Sequence, residues 1–313
     1  MKKKRAPKNR LTSASEQNNK LKVKSKKLIV ILGPTATGKT KLAVKLAGLF
    51  NGEIISADSR QVYQGMDIGT GKDLKEYRRA PYHLIDIASP KKQFTLAEYQ
   101  KTAYQAIDHI LNKNRIPFLV GGTGLYLQSI IEGYQLSESG PDMKLRAKLN
   151  NKSLAQLQRL SQKLNFKLNS SDFNNKRRLT RAIEIKLNDK NFNQTKCPKY
   201  DCLVLGLKYS KDIIDKRIDL RLQQRLKQGL IAEVKKLKKV GLSWKRLEDF
   251  GLEYKWISLY LQNKINYDEM VNRLRIAIHQ FAKRQLTWFK RMKNIIWLKD
   301  DQQALKLIQK FLN

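Results

Sequence analysis

A glycine-rich stretch after the first apolar run of the chain has the spacing of a phosphate-binding loop. Residues 28–32 read LIVIL, and GPTATGKT follows them directly. In such a loop, backbone amides bind an anion, the lysine adds a positive charge and the next hydroxyl can bind magnesium. The residues expected to hold phosphate groups are Gly33, Pro34, Thr35, Ala36, Thr37, Gly38, Lys39 and Thr40. The pattern is typical of nucleotide-binding and ATP-binding proteins, but it leaves open which phosphate compound is bound.

Two further segments carry polar residues where an α/β sheet presents groups to a ligand. One, residues 57–72, reads ADSRQVYQGMDIGTGK, and the other, residues 120–126, reads VGGTGLY. Each follows an apolar run, so both are expected at the edge of the sheet that holds the phosphate-binding loop. Their candidate side chains are Asp58, Ser59, Arg60, Gln61 and Thr123. The alternative interpretation is a surface loop in the first case and a tight strand–helix turn in the second.

Apolar runs alternate with helical periodicity along the chain and predict a parallel α/β sheet. The expected strands are 28–32, 52–58, 83–87, 116–120, 200–210 and a short last one at IIWL. Residues 143–190 show helical periodicity with many charges and no strand. The simplest architecture is a P-loop-type parallel sheet core flanked by helices and interrupted by an all-helical insertion. Its parts are the core, 27–140 and 199–313, the insertion, 141–198, and two long helical segments, 212–239 and 266–293.

The charge of the chain indicates a polyanionic partner. Of the formal net charge of +37, residues 1–27 supply +10 from eleven Lys/Arg and one Glu, which leaves +27 for the rest. With almost no apolar residues, residues 1–26 are expected to form a disordered basic arm. Nucleic acid is the commonest partner of so basic a folded region. The alternative is a lysine-rich genome that places lysine wherever the surface tolerates it.

Cysteine use and hydropathy favour a soluble intracellular protein. Cys197 and Cys202 are the only two cysteines and no histidine lies near them, so a zinc site is not expected. No apolar run approaches the roughly 18 residues of a membrane span. The basic N-terminal segment also lacks the apolar core of a secretory signal. We expect a cytoplasmic protein with reduced cysteines and no membrane partner.

Several stretches resemble, in order and approximate spacing, the tRNA dimethylallyltransferases (tRNA isopentenyltransferases). They are GPTATGKT, ISADSRQVYQGMDIGTGK, HLIDI, VGGTGLYL, RRLTRAIEI and FAKRQLTWF, which span about residues 28–297. The resemblance implies transfer of a dimethylallyl group from dimethylallyl diphosphate to the exocyclic amine of adenosine 37 of tRNA, next to the anticodon. It also implies that the phosphate-binding loop holds the departing diphosphate and that no nucleotide is hydrolysed.

The resemblance implies roles for individual residues. Asp58 would act as the general base, with Lys39 and Thr123 also catalytic, and magnesium would bind at Thr40. Arg217 and Arg221, four apart on one helix, would contact the diphosphate, although a solvated salt-bridged face is the alternative. We expect a monomer that binds the anticodon stem-loop. The residues implied to contact tRNA are Asp58, Ser59, Arg60, Gln61, Thr123, Leu145, Arg177, Arg178, Leu179, Thr180, Arg181, Lys283 and Arg284.

The chain also departs from the usual family pattern. Gly71 and Asp73 replace a small residue and a proline, and DFGLEYKWISLYL replaces a shorter Gly-Tyr-Lys pattern. The lysine-rich arm has no counterpart in the usual bacterial members, and the zinc finger of eukaryotic members is absent.

Three other functions stay open: a small-molecule P-loop kinase or NTPase, an adenylate isopentenyltransferase acting on free AMP, ADP or ATP, and a non-enzymatic RNA-binding protein.

Overall fold

The computed structural model describes residues 26–77, 80–137, 140, 142–166, 168–189 and 195–313, so the expected basic arm lies outside it except for Lys26. In this part of the chain, parallel strands form one six-stranded sheet in the order β3-β2-β4-β1-β5-β6. The parallel α/β fold predicted from the sequence is confirmed. The strands are β1 Lys27–Leu32, β2 Gly52–Ala57, β3 Tyr82–His83, β4 Ile116–Gly121, β5 Asp201–Gly206 and β6 Ile296–Trp297.

Helices flank the sheet and supply most of the remaining ordered structure. A single 3₁₀ turn, Leu74–Glu76, lies between β2 and β3. The helices are α1 Lys39–Leu49, α2 Leu96–Asn112, α3 Gly124–Ile131, α4 Met143–Asn150, α5 Leu154–Lys163, α6 Ser170–Phe173, α7 Lys176–Asn188, α8 Lys211–Lys227, α9 Leu230–Lys239, α10 Trp244–Phe250, α11 Leu252–Leu261, α12 Tyr267–Phe289 and α13 Asp301–Leu312.

Strand β1 is buried on both faces, which explains its unbroken apolar run. Leu28, Val30 and Leu32 belong to the core cluster on the face covered by α2 and α3. The intervening Ile29 and Ile31 belong to the cluster on the opposite face, covered by α1 and α13. Because successive strand residues point to opposite faces, a strand at the centre of such a sheet needs an apolar residue at every position.

Three elements differ from their predicted bounds. The expected third strand, 83–87, is only Tyr82–His83, because Leu84 and Asp86 have φ of 64° and 58°, which no strand continues. The expected long strand at 200–210 ends at Gly206. The helical segment 212–239 is two helices, since Gly229 with φ 99° separates α8 from α9.

Helices α4–α7 pack on one another within the expected insertion. Leu149 of α4, Leu157 of α5, and Leu179 and Ile183 of α7 form a small apolar cluster, and α6 packs against α7. Backbone hydrogen bonds join the two connecting segments, with the Cys197 amide donating to the Gly133 carbonyl at 2.8 Å. The insertion thus leaves and re-enters the core at neighbouring points.

Helices α8–α12 form a layer beside the sheet, called here the helical layer. Its apolar cluster includes residues from the segment that follows β2, namely Val62, Tyr63 and Met66, all at most 4% exposed. This packing attaches the segment after β2 to the helical layer. Residues 58–73 of that segment, called here the polar loop, carry four of the predicted site residues, Asp58, Ser59, Arg60 and Gln61.

Candidate active site

The phosphate loop, residues 33–40, joins the end of β1 to the start of α1. Gly38 takes up φ 80° directly before the helix, a conformation that favours glycine. The Thr37 hydroxyl donates to the Pro34 carbonyl at 2.8 Å, and the Lys39 ammonium donates to the same carbonyl at 2.7 Å. The loop therefore has the strand–loop–helix geometry in which backbone amides bind an anion.

Lys39 has an unusual protonation equilibrium. Its pKa is lowered from 10.5 to about 7, mainly by burial and then by the nearby Arg221, while Asp58 acts in the opposite direction. An anion at the loop would favour the charged ammonium and raise the pKa again. The charge of Lys39 is thus coupled to occupation of the phosphate loop.

Asp58 follows directly after β2 and closes a turn. Its Oδ1 accepts hydrogen bonds from the backbone amides of Arg60 at 2.8 Å and Gln61 at 3.4 Å. Gln61 is fixed in turn, because Ser56 donates to its Oε1 at 2.9 Å and its Nε2 donates to the Gly71 carbonyl at 3.0 Å. A carboxylate held by one oxygen in this way has a defined orientation toward the cavity.

The second glycine loop, residues 121–124, is bonded to the same turn. The Thr123 amide donates to the Ala57 carbonyl at 3.1 Å, and the Thr123 hydroxyl accepts from the Ser59 amide at 3.0 Å. Gly121 approaches β2 so closely that an added Cβ would lie 2.2 Å from the Ala57 carbonyl oxygen. The structure thus brings Asp58 and Thr123, which are 65 positions apart in the chain, to one edge of the sheet.

Arg217 and Arg221 of α8 reach the cavity from the helical layer. The Arg217 guanidinium approaches the Ala36 carbonyl at 3.5 Å and stacks over the Tyr209 ring at 4.3 Å. Arg221 forms an ion pair with Asp73 at 2.7 Å. Asp73, one of the departures from the family pattern, therefore orients an arginine beside the phosphate loop.

Arg225 lies one turn further along α8 and was missed by the sequence analysis. It donates to the Gly69 carbonyl at 3.2 Å and pairs with Glu253 of α11 at 3.4 Å. An added Cβ on Gly71 would lie 1.7 Å from its guanidinium, which explains the glycine there. The continued four-residue spacing after Arg217 and Arg221 is the signal that could have identified it.

The polar loop is anchored by two buried or part-buried ionic groups. Lys72 is 1% exposed and donates to the Tyr63 carbonyl at 2.8 Å, to Asp67 at 2.6 Å and to Asp86. Glu233 of α9 accepts from the backbone amides of residues 67, 68 and 69 at 2.7, 2.6 and 3.0 Å. The sequence analysis did not identify Glu233, whose contacts depend on tertiary packing alone.

These elements enclose one open cavity of about 2370 Å³. The phosphate loop, Asp58, Thr123, Arg217 and Arg221 line it on the polar side. Aromatic side chains also line the cavity, among them Tyr209 before α8, Trp256 of α11, and Phe281 and Trp288 of α12. The cavity is larger than the usual site for a single small molecule, so it can hold a phosphate compound and a second reactant together.

The residues implied to contact tRNA fall into two groups. Ser59, Arg60, Gln61, Thr123 and Arg284 line the cavity together with Asp58, and Lys283, which precedes Arg284, is exposed. Arg60 stacks over the Phe250 ring at 5.6 Å.

The second group lies on the insertion, outside the cavity. Arg177 is exposed, Arg178 pairs with Asp172 at 3.2 Å, and Arg181 pairs with the fully buried Glu184 at 2.9 Å. Three members of this group face the interior of the insertion. Leu179 is 0% exposed, Thr180 is 5% exposed, and Leu145 packs against the insertion's apolar cluster. In this conformation the side chains of Leu179 and Thr180 are not available to RNA.

Among the described residues we searched for clusters of metal-ligating side chains and for helices that could span a membrane. No group of three or more His, Cys, Asp or Glu in that part of the chain could hold a metal ion. Cys197 and Cys202 are both free thiols. No described helix combines the length and the hydropathy needed to cross a bilayer.

A glycine-rich loop, a carboxylate and a hydroxyl lie together at one edge of the parallel sheet, beside a cavity with room for two reactants. This arrangement places the chain in the class of parallel α/β proteins with a ligand site at the sheet edge. The particular family follows from sequence comparison. The chain belongs to the IPP transferase family, whose profile matches residues 61–292, while that of the isopentenyl transferases matches residues 26–80. The resemblance seen in the sequence is thereby confirmed.

Named relatives match over most of the chain. It is 48% identical over 294 residues to tRNA dimethylallyltransferase 1 of Syntrophus aciditrophicus (strain SB), covering 90% of this chain and 96% of that protein. It is 48% identical over 272 residues to tRNA dimethylallyltransferase 2 of Treponema denticola, covering 84% and 91%.

Solved structures have the same fold. The full-length tRNA isopentenylpyrophosphate transferase from Bacillus halodurans matches with a TM-score of 0.70 at 36% identity, covering 92% of this chain and 95% of that one. A eukaryotic dimethylallyltransferase acting on tRNA matches with a TM-score of 0.77 at 25% identity, covering 92% and 80%.

Proposed function

We propose that this protein transfers the dimethylallyl group of dimethylallyl diphosphate to the exocyclic amine of adenosine 37 in tRNA. The observation that carries the proposal is the placement of Asp58 and Thr123 in one cavity with the phosphate loop. Family membership supports the reaction, since the relatives are tRNA dimethylallyltransferases. A kinase or NTPase would leave the helical insertion and the +37 net charge without a role.

In the proposed reaction the allylic C–O bond of dimethylallyl diphosphate breaks and a C–N bond forms to the adenine amine. The amine is a poor nucleophile because its lone pair is delocalised into the purine. Asp58 would accept the proton that the amine loses as attack develops. Loop amides, Lys39, Arg217 and Arg221 would stabilise the negative charge that grows on the departing diphosphate.

Magnesium is the cofactor that this site would use. Its one candidate protein ligand on the phosphate loop is the Thr40 hydroxyl, which lines the cavity. This donor set fits magnesium, because the ion keeps several waters and takes other ligands from substrate phosphates rather than from a protein cage. When bound, it would neutralise part of the charge on the leaving group.

The insertion and the rim of the cavity would bind the anticodon stem-loop of the tRNA. Adenosine 37 is stacked in the anticodon loop, so it must flip out to reach Asp58. Exposed Arg177, Lys283 and Arg284 are suited to RNA phosphates or unpaired bases. We further propose that the enzyme acts as a monomer in the cytoplasm.

The test is a transfer assay with radiolabelled dimethylallyl diphosphate and magnesium. The acceptors are an anticodon stem-loop with adenosine 37, the same stem-loop with guanosine 37, AMP, and ATP alone. Label should enter only the adenosine stem-loop and should need no ATP. Label in AMP would favour an adenylate isopentenyltransferase, ATP hydrolysis without transfer would favour a kinase or NTPase, and stem-loop binding alone would favour an RNA-binding protein.

A further inference from the structure

Gln285 of α12 connects the two loops that hold the two substrates. Its Oε1 accepts from the Thr35 amide of the phosphate loop at 2.8 Å. Its Nε2 donates to the Gly122 carbonyl of the second glycine loop at 2.8 Å. The side chain is 7% exposed; its bond to Gly122 is buried and its bond to Thr35 is part-buried at the cavity. One buried amide thus bridges the diphosphate side and the acceptor side of the cavity.

The loops are shaped to receive this bridge. An added Cβ on Gly122 would lie 2.4 Å from the Gln285 amide nitrogen and 3.6 Å from the Gly33 carbonyl oxygen. One turn further along α12, Trp288 packs against Gly124, where an added Cβ would lie 2.3 Å from the indole. A short face of α12 therefore packs directly on the second glycine loop, and only residues without a side chain allow the approach.

We infer that Gln285 is a positioning residue that sets the distance between the diphosphate and the acceptor amine. The inference rests on the proposed function and deepens it, because that reaction needs both substrates placed at once. Gln285 acts through the loops: the Thr35 amide is already used by the bridge, which leaves the later loop amides for the anion. Gly122 directly precedes Thr123, whose hydroxyl bonds the turn that carries Asp58.

Loss of such a bridge should affect the reaction step more than the binding of either substrate. Each loop keeps its own backbone bonds, so each substrate still finds its site. The relative placement of the sites becomes looser, and a misplacement of about 1 Å can slow a reaction about 100-fold. The expected signature is a lower kcat with nearly unchanged KM values.

The chain offers a matched control for a merely structural role. Gln100 of α2 is 9% exposed, and its Nε2 donates to the carbonyls of Ser129 at 3.0 Å and Tyr134 at 2.8 Å. It is a buried bridging glutamine like Gln285 but lies outside the cavity. Gln100→Met and Gln285→Met each remove one buried and one part-buried hydrogen bond while keeping the side-chain length.

Steady-state kinetics with both substrates and thermal unfolding compare the two variants. Gln285→Met should lower kcat about 10- to 100-fold, with both KM values within about threefold of wild type. Gln100→Met should lose comparable thermal stability and keep kcat within about twofold. Equal kcat values for the two variants, or a change in KM alone, would overturn the inference about Gln285. The proposed function would still stand in that case if the wild type transfers the dimethylallyl group.

A second variant gives a pH signature and covers the case in which Gln285→Met fails to fold. A protonated glutamic acid can donate to Gly122 and accept from Thr35 as the amide does, whereas the carboxylate cannot donate. Activity of Gln285→Glu relative to wild type should therefore rise as pH falls, and that of Gln285→Met should stay flat. A flat ratio for Gln285→Glu would count against the bridge.

Hydrogen exchange tests the bridge without relying on activity. The Thr35 amide should exchange at least about tenfold faster in Gln285→Met than in wild type and remain protected in Gln100→Met. Unchanged protection would show that Gln285 does not hold the phosphate loop. If the wild type is active and the Gln285 variants have normal kinetics, the inference is wrong and the proposed function still stands. If the wild type is inactive, the proposed function is wrong.

Discussion

At the residue scale, the Asp58 carboxylate has two kinds of contact. Its Oδ1 accepts the backbone hydrogen bonds of the turn after β2, and the side chain also lines the cavity. Asparagine keeps an oxygen that can accept the bonds from Arg60 and Gln61, but it cannot take up a proton. Asp58→Asn should therefore fold and bind the stem-loop normally while turnover falls about 10²- to 10⁴-fold. Single-turnover transfer measures the loss, with thermal unfolding and stem-loop affinity as controls. Near-normal transfer would remove Asp58 as the base.

Lys39 should make diphosphate binding depend on pH. Its pKa of about 7 in the free protein means that the ammonium loses its proton as pH rises through neutrality. Bound diphosphate raises that pKa, so binding takes up a proton above pH 7, and affinity should fall by up to about tenfold per pH unit there. Lys39→Met should lose this dependence, whereas Lys41→Met, at an exposed lysine of the same helix, should keep it.

The measurement is calorimetric binding of inorganic diphosphate between pH 6 and pH 9. Taking the ratio of wild-type to Lys39→Met affinity cancels the ionisation of the diphosphate itself. A ratio that stays constant across this range would mean that Lys39 does not change its charge on binding.

Residues in local motifs were predictable, and residues defined by long-range contacts were not. Lys39, Asp58 and Thr123 each follow an apolar strand within a short motif, so the sequence identifies them. Gln285 acts on Thr35, 250 positions away, and no periodicity in the chain connects the two. Glu233 likewise bonds amides 164 to 166 positions away.

At the scale of elements, α9 anchors the polar loop through Glu233. Three consecutive amides donate to one carboxylate, which also accepts from the Tyr254 hydroxyl at 2.8 Å. Hydrogen bonds to a charged group are worth about 1.5–3 kcal/mol, so Glu233→Ala should lower the unfolding free energy by about 2–3 kcal/mol. Turnover should fall as well, because the loop carries Gln61.

Urea denaturation measures this loss, with Glu269→Ala as the control. Glu269 forms an exposed i,i+4 pair with Arg273 on α12, so its removal should cost about 0.5 kcal/mol or less. If Glu233→Ala is no more destabilised than Glu269→Ala, the amide contacts do not hold the loop.

The bounds of elements were less predictable than their kinds. HLIDI reads as a strand, yet Leu84 and Asp86 adopt positive φ, which non-glycine residues rarely do and which no local pattern indicates. The Asp86 carboxylate there pairs with buried Lys72. This ion pair and the backbone hydrogen bonds from Asp86 to Gln61 and from Ala88 to Val62 accompany a bend that the apolar run alone does not indicate.

At the scale of the whole molecule, basic residues divide into paired and exposed groups. Arg181 and Arg146 both pair with buried Glu184, so they hold the insertion together. Removing Arg181 would disturb the fold as well as any RNA contact. Arg177 on the same helix is exposed, which makes it the cleaner probe of RNA binding. The sequence shows Arg177 and Arg181 as basic side chains on one helical face. It does not distinguish the arginine that pairs with Glu184 from the one that is exposed.

The net charge predicts a steep salt dependence of stem-loop binding. If the basic surface contacts RNA phosphates, a plot of log K against log [salt] should have a slope of several units, because counterions are released on binding. Deleting residues 1–25 should flatten the slope without abolishing transfer. The deletion stops before Lys26, which pairs with Asp108 of α2 at 2.9 Å, so the core stays intact.

Arg177→Ala should weaken stem-loop binding and reduce the slope by about one unit, the effect expected from losing one phosphate contact. Diphosphate affinity should be unchanged, since Arg177 lies on the insertion and outside the cavity. Lys310→Ala, on α13 of the core, removes one exposed positive charge away from the insertion and should leave the slope close to wild type. Fluorescence anisotropy of a labelled stem-loop across a salt series compares the variants. If Arg177→Ala and Lys310→Ala behave alike, the insertion is not where RNA is bound, and the basic composition reflects overall charge rather than a specific contact surface.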